Sequence, residues 1–174
     1  IGNPTIHALE ESVAALEGGI GGIATSSGLG AVSTVYLALL SQGAHMVSTA
    51  SVYGPSRTLV ERHFARFGVA ATFVDTSNLD DLRQAMRPET RLVYIETPAN
   101  PTMLVTDIAG AAAIAHVGGA LLAVDNTFAS PYLQNPLALG ADIALHSVTK
   151  FINGHAYVVG GLLVAGDDAI LARL

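Results

Sequence analysis

The sequence contains no cysteine and no tryptophan, and only 13% of its 174 residues are charged. Without cysteine, neither a disulfide framework nor a thiolate metal site can form. No two of the six histidines have the i, i+4 spacing of a helical metal site, so we expect no metal. The eight basic residues are scattered singly and the net charge is −6, which argues against a nucleic-acid partner.

Long uninterrupted apolar segments are also absent. The longest apolar stretch, Val105 to Val124, contains Asp107 and His116, so we predict a helix followed by a strand rather than a membrane span. Glu10 and Glu11 lie where the apolar part of a signal peptide would be. We therefore expect no membrane contact and a cytoplasmic location.

Apolar residues are abundant. They make up 51% of the chain, and the mean hydropathy is +0.48. A length of 174 residues is typical of a single domain. The small charged fraction indicates a large core and further surface that is covered by something else.

Continuous apolar strands alternate with amphipathic helices along the chain. Strands are predicted at Gly22–Thr25, His45–Thr49, Ala70–Val74, Arg91–Glu96, Leu121–Val124, Ile143–His146 and Val158–Val164. A first helix is predicted from Pro4, with Asn3 as N-cap, to a stop at Gly18. Further helices are predicted over Leu29–Leu40, Pro55–Phe67, Leu79–Met86 and Asp107–Val117, and a last one is predicted to start at Asp167. This alternation predicts an α/β fold with a mainly parallel seven-stranded sheet and helices on both faces.

Ligands of such sheets bind at the carboxyl ends of the strands. Five polar loops are predicted there, at Ser26–Gly28, Ala50–Gly54, Thr97–Pro101, Asp125–Thr127 and Ser147–His155. The first joins a strand to a helix, so its amides and the helix dipole suit a phosphate; an ordinary turn with a serine cap explains it equally well. The segment Gly19–Ala24 matches G-x-G-x-x-A but precedes a strand, so it is not a dinucleotide fingerprint.

Asp125 follows the buried strand LLAV, where a charge is costly unless it meets a cation or several donors. It either caps the next turn or faces a protonated ring nitrogen. Tyr53, beside Gly54, either stacks on a planar cofactor or packs in the core. His146 and His155 are expected to make structural hydrogen bonds.

Lys150 is the only lysine, against seven arginines. A lysine at this position is either an ordinary surface residue or an amine that forms a Schiff base with an aldehyde, which arginine cannot do. Such an amine has to be deprotonated at working pH, and burial and nearby positive charge favour that form.

A phosphate loop, a stacking tyrosine, a buried aspartate and one lysine together are the parts of a pyridoxal phosphate (PLP) site. Their order resembles the Cys/Met-metabolism family of fold-type I PLP enzymes, which includes cystathionine γ-synthase, cystathionine γ- and β-lyases, methionine γ-lyase and O-acyl-homoserine sulfhydrylases. The matching stretches include SSGLGA (26–31), VYG (52–54), ETPANPT (96–102), VDNTFASPYLQNPLALGAD (124–142) and HSVTKFINGH (146–155).

The resemblance implies a role for each matching residue. Lys150 would bind the PLP aldehyde and later move protons, Asp125 would keep the pyridine nitrogen protonated, and Tyr53 would stack on the ring. Asn100 would touch the ring hydroxyl, and Thr127 would lie near the ring. Residues implied to hold the phosphate are Ser27, Gly28, Leu29, Ser147 and Thr149.

The implied activity is γ-elimination or γ-replacement on methionine-, cystathionine- or O-acyl-homoserine-like amino acids, in a homotetramer whose dimers share active sites. Cystathionine β-lyase activity is the alternative within the family. The resemblance also implies that residues 1–174 are an incomplete PLP-binding large domain, without the family's N-terminal Tyr-x-Arg segment and C-terminal domain. We expect these residues alone to be inactive.

Two positions depart from the family pattern. Tyr157 stands where the family usually has aspartate, and Pro55 follows Tyr-Gly where typical methionine γ-lyases have cysteine. Tyr157 and the missing segments favour another hypothesis, an inactive or truncated copy of the fold. The retention of Lys150, Asp125 and Tyr53 opposes it.

Overall fold

Seven strands form one sheet in the computed structural model, which describes residues 3–155 and 157–174. The strands are β1 (Gly21–Thr25), β2 (His45–Thr49), β3 (Ala70–Val74), β4 (Thr90–Glu96), β5 (Leu121–Asp125), β6 (Ile143–Ser147) and β7 (Gly161–Ala165). Their order across the sheet is β1-β7-β6-β5-β4-β2-β3. Only β7 runs against its neighbours, so the predicted mainly parallel seven-stranded sheet is confirmed.

Helices lie between most of the strands. They are α1 (Pro4–Glu17), α2 (Gly28–Leu39), α3 (Gly54–Thr58), α4 (Leu79–Ala85), α5 (Ile108–Val117), α6 (Ser130–Leu133) and α7 (Asp168–Leu171). The helix predicted over Pro55–Phe67 starts as α3 and continues through a π-helical turn, Leu59–His63, and a 3-10 turn, Phe64–Phe67. Apolar periodicity indicates helical winding but does not fix the size of the hydrogen-bonded ring, so this change of type was not predicted.

The ends of α1 are set by local chemistry, as predicted. Asn3 accepts hydrogen bonds from the amides of Thr5 and Ile6, at 3.0 and 3.4 Å, and Pro4 occupies the first turn. Gly18 ends the helix at φ +72°, a conformation that glycine adopts without strain.

Strand β7 is shorter than predicted. It starts at Gly161 rather than Val158, because pairing with β1 and β6 sets its limits. A Cβ at Gly161 would lie 2.2 Å from the carbonyl oxygen of Ser27, so glycine is required for β7 to pass beside that loop. The described residues of the β6–β7 connection, 148–155 and 157–160, contain no helix, and β7 runs antiparallel to β6.

Both faces of the sheet are covered, as predicted. Leu92 and Tyr94 of β4 belong to the core under α2, whereas Val93 and Ile95 pack in the core with α5. Helix α1 packs through Val13 in a third cluster with residues of β6 and β7. Burial of each large apolar side chain contributes about 1.5–3 kcal/mol, so both layers stabilise the sheet.

The parallel strands end at one edge of the sheet. Thr25, Thr49, Glu96, Asp125 and Ser147 are the last residues of β1, β2, β4, β5 and β6. The loops that follow them are therefore brought together. Among the described residues, no helix has the length and apolar character needed to cross a membrane.

Candidate active site

A cavity of about 290 Å³ opens at this edge of the sheet. It is lined by Ser27, Gly28, Leu29, Val32, Tyr53, Ser56, Glu96, Asn100, Asp125, Thr127, Phe128, Ser147, Thr149, Lys150 and Val159. All ten residues implied by the family resemblance are in this lining. Its volume is at the lower end of the range for small-molecule pockets, about 300–1,000 Å³.

The first loop supplies a helix N-terminus to the cavity. Ser27 caps α2 by accepting a hydrogen bond from the amide of Gly30 at 3.0 Å, so the hydroxyl of Ser27 is already used as an acceptor. A Cβ at Gly28 would lie 2.7 Å from Cβ of Ser147, which makes glycine necessary for this close approach. The cap and the phosphate cradle, which the sequence left as alternatives, are compatible because backbone amides suffice to bind an anion.

The loop after β6 forms the opposite wall. The amide of Ser147 donates to Thr127 Oγ1 at 2.8 Å. The hydroxyl of Thr149 lies 3.3 Å from the carbonyl oxygen of Gly160 and accepts from the amide of Gly160 at 3.0 Å. Thr149 therefore ties the Lys150 loop to the start of β7.

Lys150 lies in the cavity lining with an exposed side chain, and its amide donates to Ser147 O at 3.1 Å. Within residues 3–155 and 157–174, Lys150 forms no ion pair. Its amine is therefore not held by a carboxylate and is accessible to a ligand in the cavity.

Asp125 is a buried acid at the end of β5. Its Oδ1 accepts from the amide and hydroxyl of Thr127 at 3.1 and 2.5 Å, and its Oδ2 accepts from the hydroxyl of Tyr94 at 3.2 Å. Burial raises the pKa of Asp125, and the hydrogen bonds from Thr127 oppose this rise. A cationic group in the cavity would compensate the cost of burying this charge.

Tyr53 and Asn100 reach the cavity from two separate loops that meet at Glu96. The amide of Tyr53 donates to Glu96 Oε2 at 2.7 Å, and the amide of Asn100 donates to Glu96 Oε1 at 2.9 Å. The side chain of Tyr53 is 51% exposed, so it lies at the mouth of the cavity instead of in the core.

Glu96 itself is only 3% exposed. The pKa of Glu96 is raised to about 7: burial and the charge of Asp125 raise it, and the hydrogen bonds from the amides of Asn100 and Tyr53 oppose the rise. The cavity therefore contains two buried acids on neighbouring strands, since Glu96 and Asp125 are register partners.

Sequence reasoning missed several lining residues. Glu96 ends the predicted strand Arg91–Glu96, and Asp125 directly follows the predicted strand Leu121–Val124, so the same signal would have drawn attention to Glu96. Ser56 is 1% exposed, and its Oγ has no hydrogen-bond partner within the described residues. The apolar lining residues Val32, Phe128 and Val159 carry no local signal.

His146 makes a structural hydrogen bond, as predicted. Its Nε2 lies 2.6 Å from Oε1 of Glu17, and both side chains are buried. The same Oε1 accepts from Nδ2 of Asn126 at 2.8 Å, so this pair fixes the residue that follows Asp125. His155 stacks on Tyr157 with ring centroids 5.5 Å apart, and Tyr157 is 82% exposed.

These features fit PLP. The buried carboxylate of Asp125 suits a ring cation, the glycine cradle at the start of α2 suits a phosphate, and Lys150 supplies an amine. The hydroxyl of Ser56 adds an unpaired polar atom to the lining. Among the described residues, no three His, Asp or Glu side chains are grouped so as to hold a metal ion.

The family comparison matches residues 1–174 to the model described as Cys/Met metabolism PLP-dependent enzyme. A protein named L-methionine gamma-lyase, from Fusobacterium nucleatum subsp. polymorphum, is 48% identical over 169 residues, which are 97% of this chain and 43% of the relative. A cystathionine beta-lyase from Lactococcus lactis subsp. cremoris (strain MG1363) is 49% identical over 173 residues, 99% of this chain and 45% of the relative.

A cystathionine gamma-lyase from Bacillus subtilis (strain 168) is 49% identical over 168 residues, 97% of this chain and 44% of the relative. The crystal structure of metB from Corynebacterium glutamicum matches with a TM-score of 0.97 and 46% identity, over 99% of this chain and 45% of that chain. The chain thus spans less than half the length of the relatives it matches.

Proposed function

We propose that this chain, which belongs to the Cys/Met metabolism PLP-dependent enzyme family, forms most of the cofactor pocket of a sulfur amino-acid lyase or transferase. The reaction would be γ-elimination or γ-replacement on a methionine-, cystathionine- or O-acyl-homoserine-like amino acid. The observation that carries this proposal is the convergence of Lys150, Asp125 and Tyr53 on one cavity. PLP, when bound, supplies a protonated ring that withdraws electrons from the substrate α-carbon.

Each residue of the cavity then has a definite task. The amides at the start of α2 and the hydroxyl of Ser147 would bind the phosphate, and Asp125 would keep a proton on the ring nitrogen by remaining ionised beside it. Lys150 would provide the amine that holds the aldehyde, and its Nζ would move protons to and from the substrate. Tyr53 orients the ring by stacking, and Asn100 and Thr127 fix its edge.

A cystathionine β-lyase is the second candidate. The relative with that name is 49% identical, as similar as those named gamma-lyases. Pro55, in place of the cysteine of typical methionine γ-lyases, favours a substrate other than methionine. An inactive copy of the fold is the third candidate, which Tyr157 favours.

We also propose that residues 1–174 are part of a PLP-binding large domain, since the matched relatives are more than twice as long. The whole protein would be a homotetramer with active sites shared within dimers. The exposed apolar side chains of Tyr132, Leu133 and Val159, at 92%, 74% and 70%, support a further protein contact, and Val159 also lines the cavity. The cytoplasmic location stays a prediction.

Product analysis tests the function. The chain, expressed with whatever flanks it in its own reading frame and supplied with PLP, is incubated with L-methionine, L-cystathionine or O-acetyl-L-homoserine. The last substrate is tested with and without L-cysteine, the thiol that γ-replacement would join to it as cystathionine. γ-Elimination yields 2-oxobutyrate, and β-elimination of cystathionine yields pyruvate. We expect 2-oxobutyrate, abolished by Lys150→Arg. Pyruvate from cystathionine alone would identify a β-lyase, and no product would favour the inactive copy.

A further inference from the structure

Glu96 connects two loops of the cavity that are distant in sequence. One loop follows β2 and carries Tyr53; the other follows β4 and carries Asn100. Each oxygen of the Glu96 carboxylate accepts one backbone amide, from Tyr53 at 2.7 Å and from Asn100 at 2.9 Å. The position of both residues therefore depends on a single buried side chain.

The other side-chain link between these loops is weaker. Thr102 donates to Ser51 Oγ at 3.3 Å, and this pair is exposed to water. Hydrogen bonds to an ionised carboxylate are stronger than neutral ones, and burial strengthens them further. Glu96 is thus the main connection at the depth of the cavity.

The connection requires the charged form of Glu96. An ionised carboxylate accepts hydrogen bonds at both oxygens, whereas the protonated form has an O–H donor on one of them. That donor would face an amide N–H, so one of the two hydrogen bonds would be lost. The protonated form is accessible near neutral pH because burial raises the pKa of Glu96 to about 7.

The ionisable groups around Glu96 belong to several elements. Asp125 is its register partner on β5, and Lys150 and Tyr53 line the same cavity. The buried hydroxyls of Tyr36 on α2 and Tyr94 on β4 also interact electrostatically with Glu96. Tyr36 and Tyr94 stay neutral at physiological pH. The negative charge that disfavours ionisation of Glu96 is therefore that of Asp125.

We propose that Glu96 is a positioning residue whose ionised carboxylate holds the Tyr53 and Asn100 loops in the geometry that receives the cofactor ring. Uptake of one proton by Glu96 releases one of the loops and weakens cofactor binding. This inference rests on the proposed function, because it assumes that Tyr53 and Asn100 face PLP.

Amide hydrogen exchange of the cofactor-free chain, followed residue by residue by NMR, tests the hydrogen bonds directly. Glu96→Ala should lower the protection of the Tyr53 and Asn100 amides by about tenfold or more, as expected for loss of a hydrogen bond to a charged group. Glu96→Gln should lower the protection of one of them.

Glu10→Ala is the matched control for Glu96→Ala. Glu10 also accepts a backbone amide, that of Ala24 at 2.8 Å, but it does not line the cavity. This variant should change the protection of Ala24 and leave Tyr53 and Asn100 as in the wild type. Unchanged protection of Tyr53 and Asn100 in Glu96→Ala would overturn the proposal.

The pH dependence of PLP binding tests the positioning role. The ratio of wild-type to Glu96→Gln affinity should rise from about 1 at pH 5.5 to about 10 at pH 8.5, the effect of one charge-assisted hydrogen bond. A ratio that does not change with pH would assign Glu96 a merely structural role and contradict the proposal. If the wild type does not bind PLP at any pH, the proposed function fails, and amide exchange still decides whether Glu96 holds the loops.

Discussion

Two buried carboxyl groups at neighbouring strand ends have different partners. Asp125 is held by the amide and hydroxyl of Thr127 and by the hydroxyl of Tyr94. Glu96 accepts two backbone amides, so its task is to hold the chain. Hydroxyl groups can rotate when a ligand arrives, and Asp125 is therefore better suited to meet a ring cation.

Asp125→Asn should weaken the binding of PLP. The amide cannot balance the charge of a protonated ring nitrogen, so PLP affinity should fall at least about tenfold, the effect of one charge-assisted hydrogen bond. The affinity is measured by absorbance titration with PLP. Asp167→Asn is the control, because Asp167 caps α7 through Ile170 and asparagine caps a helix equally well. Wild-type affinity in Asp125→Asn would refute the assigned role.

The second prediction concerns pH and stability. Burial raises the pKa of Glu96 from the ordinary 4.5 to about 7, so between these values the folded chain binds a proton that the unfolded chain has released. The free energy of unfolding of the cofactor-free chain therefore falls as the pH rises through this window.

Glu96→Gln lacks this titration. The difference in unfolding free energy between wild type and variant should change by about 3 kcal/mol from pH 4.5 to pH 8, with the wild type losing more. Urea unfolding at a series of pH values measures it. The pH dependence of the unfolding free energy that remains in the variant comes from the other acids. These include Asp125, because burial raises its pKa as well. If the unfolding free energies of the two proteins changed equally with pH, the pKa of Glu96 would not be raised.

Local sequence signals identified some site residues and not others. Lys150 is the only lysine, and Asp125 is an acid after an apolar strand, so both were visible in the sequence. The role of Glu96 could not be predicted from the sequence, because one of its partners, the amide of Tyr53, is 43 positions away and only the fold brings it close. The burial of Ser56 is likewise a tertiary property.

At the scale of elements, the site depends on how closely helix α2 approaches the loop after β6. Gly28 and Gly161 both occupy positions where a Cβ would overlap a neighbour, at 2.7 Å from Ser147 and 2.2 Å from Ser27. These glycines permit three chain segments to meet around the N-terminus of α2. The proposed phosphate cradle therefore depends on packing as much as on a sequence motif.

The element-scale prediction is that Gly28→Ala weakens PLP binding. The new methyl group would push the start of α2 away from Ser147, so PLP affinity should fall by about tenfold, a loss comparable to one hydrogen bond from a backbone amide to the phosphate. Competition by inorganic phosphate should weaken in parallel. Gly54→Ala is the control, since nothing lies within 4 Å of a Cβ there. Equal effects of the two substitutions would contradict the cradle.

Strand positions were predictable where local pattern and pairing agree. The predicted limits of β2 and β3 are those of the structure, because Gly43 and Gly68, two residues before these strands, end the preceding segments. The start of β7 was not predictable, because Val158 and Val159 continue the apolar run while the pairing partners begin only at Gly161. A continuous apolar run does not show which of its residues enter the sheet.

At the scale of the whole molecule, the sheet gathers the site from residues that are spread between Ser27 and Val159. The chain spans less than half the length of its relatives. Tyr132 and Tyr157 are 92% and 82% exposed, and in the sequence they lie within four residues of the lining residues Phe128 and Val159. We therefore expect the sheet to build the cofactor pocket, and surfaces outside these residues to complete the site for the amino-acid substrate.

The most direct test of the account is chemical trapping of PLP on this chain. The purified protein is incubated with PLP and reduced with borohydride, and the adduct is located by intact mass and peptide mapping. We expect one adduct, on Lys150, which forms at low PLP concentration and is absent from Lys150→Arg. Absence of an adduct, or labelling of the terminal amine alone, would contradict the claim that these residues form a PLP pocket.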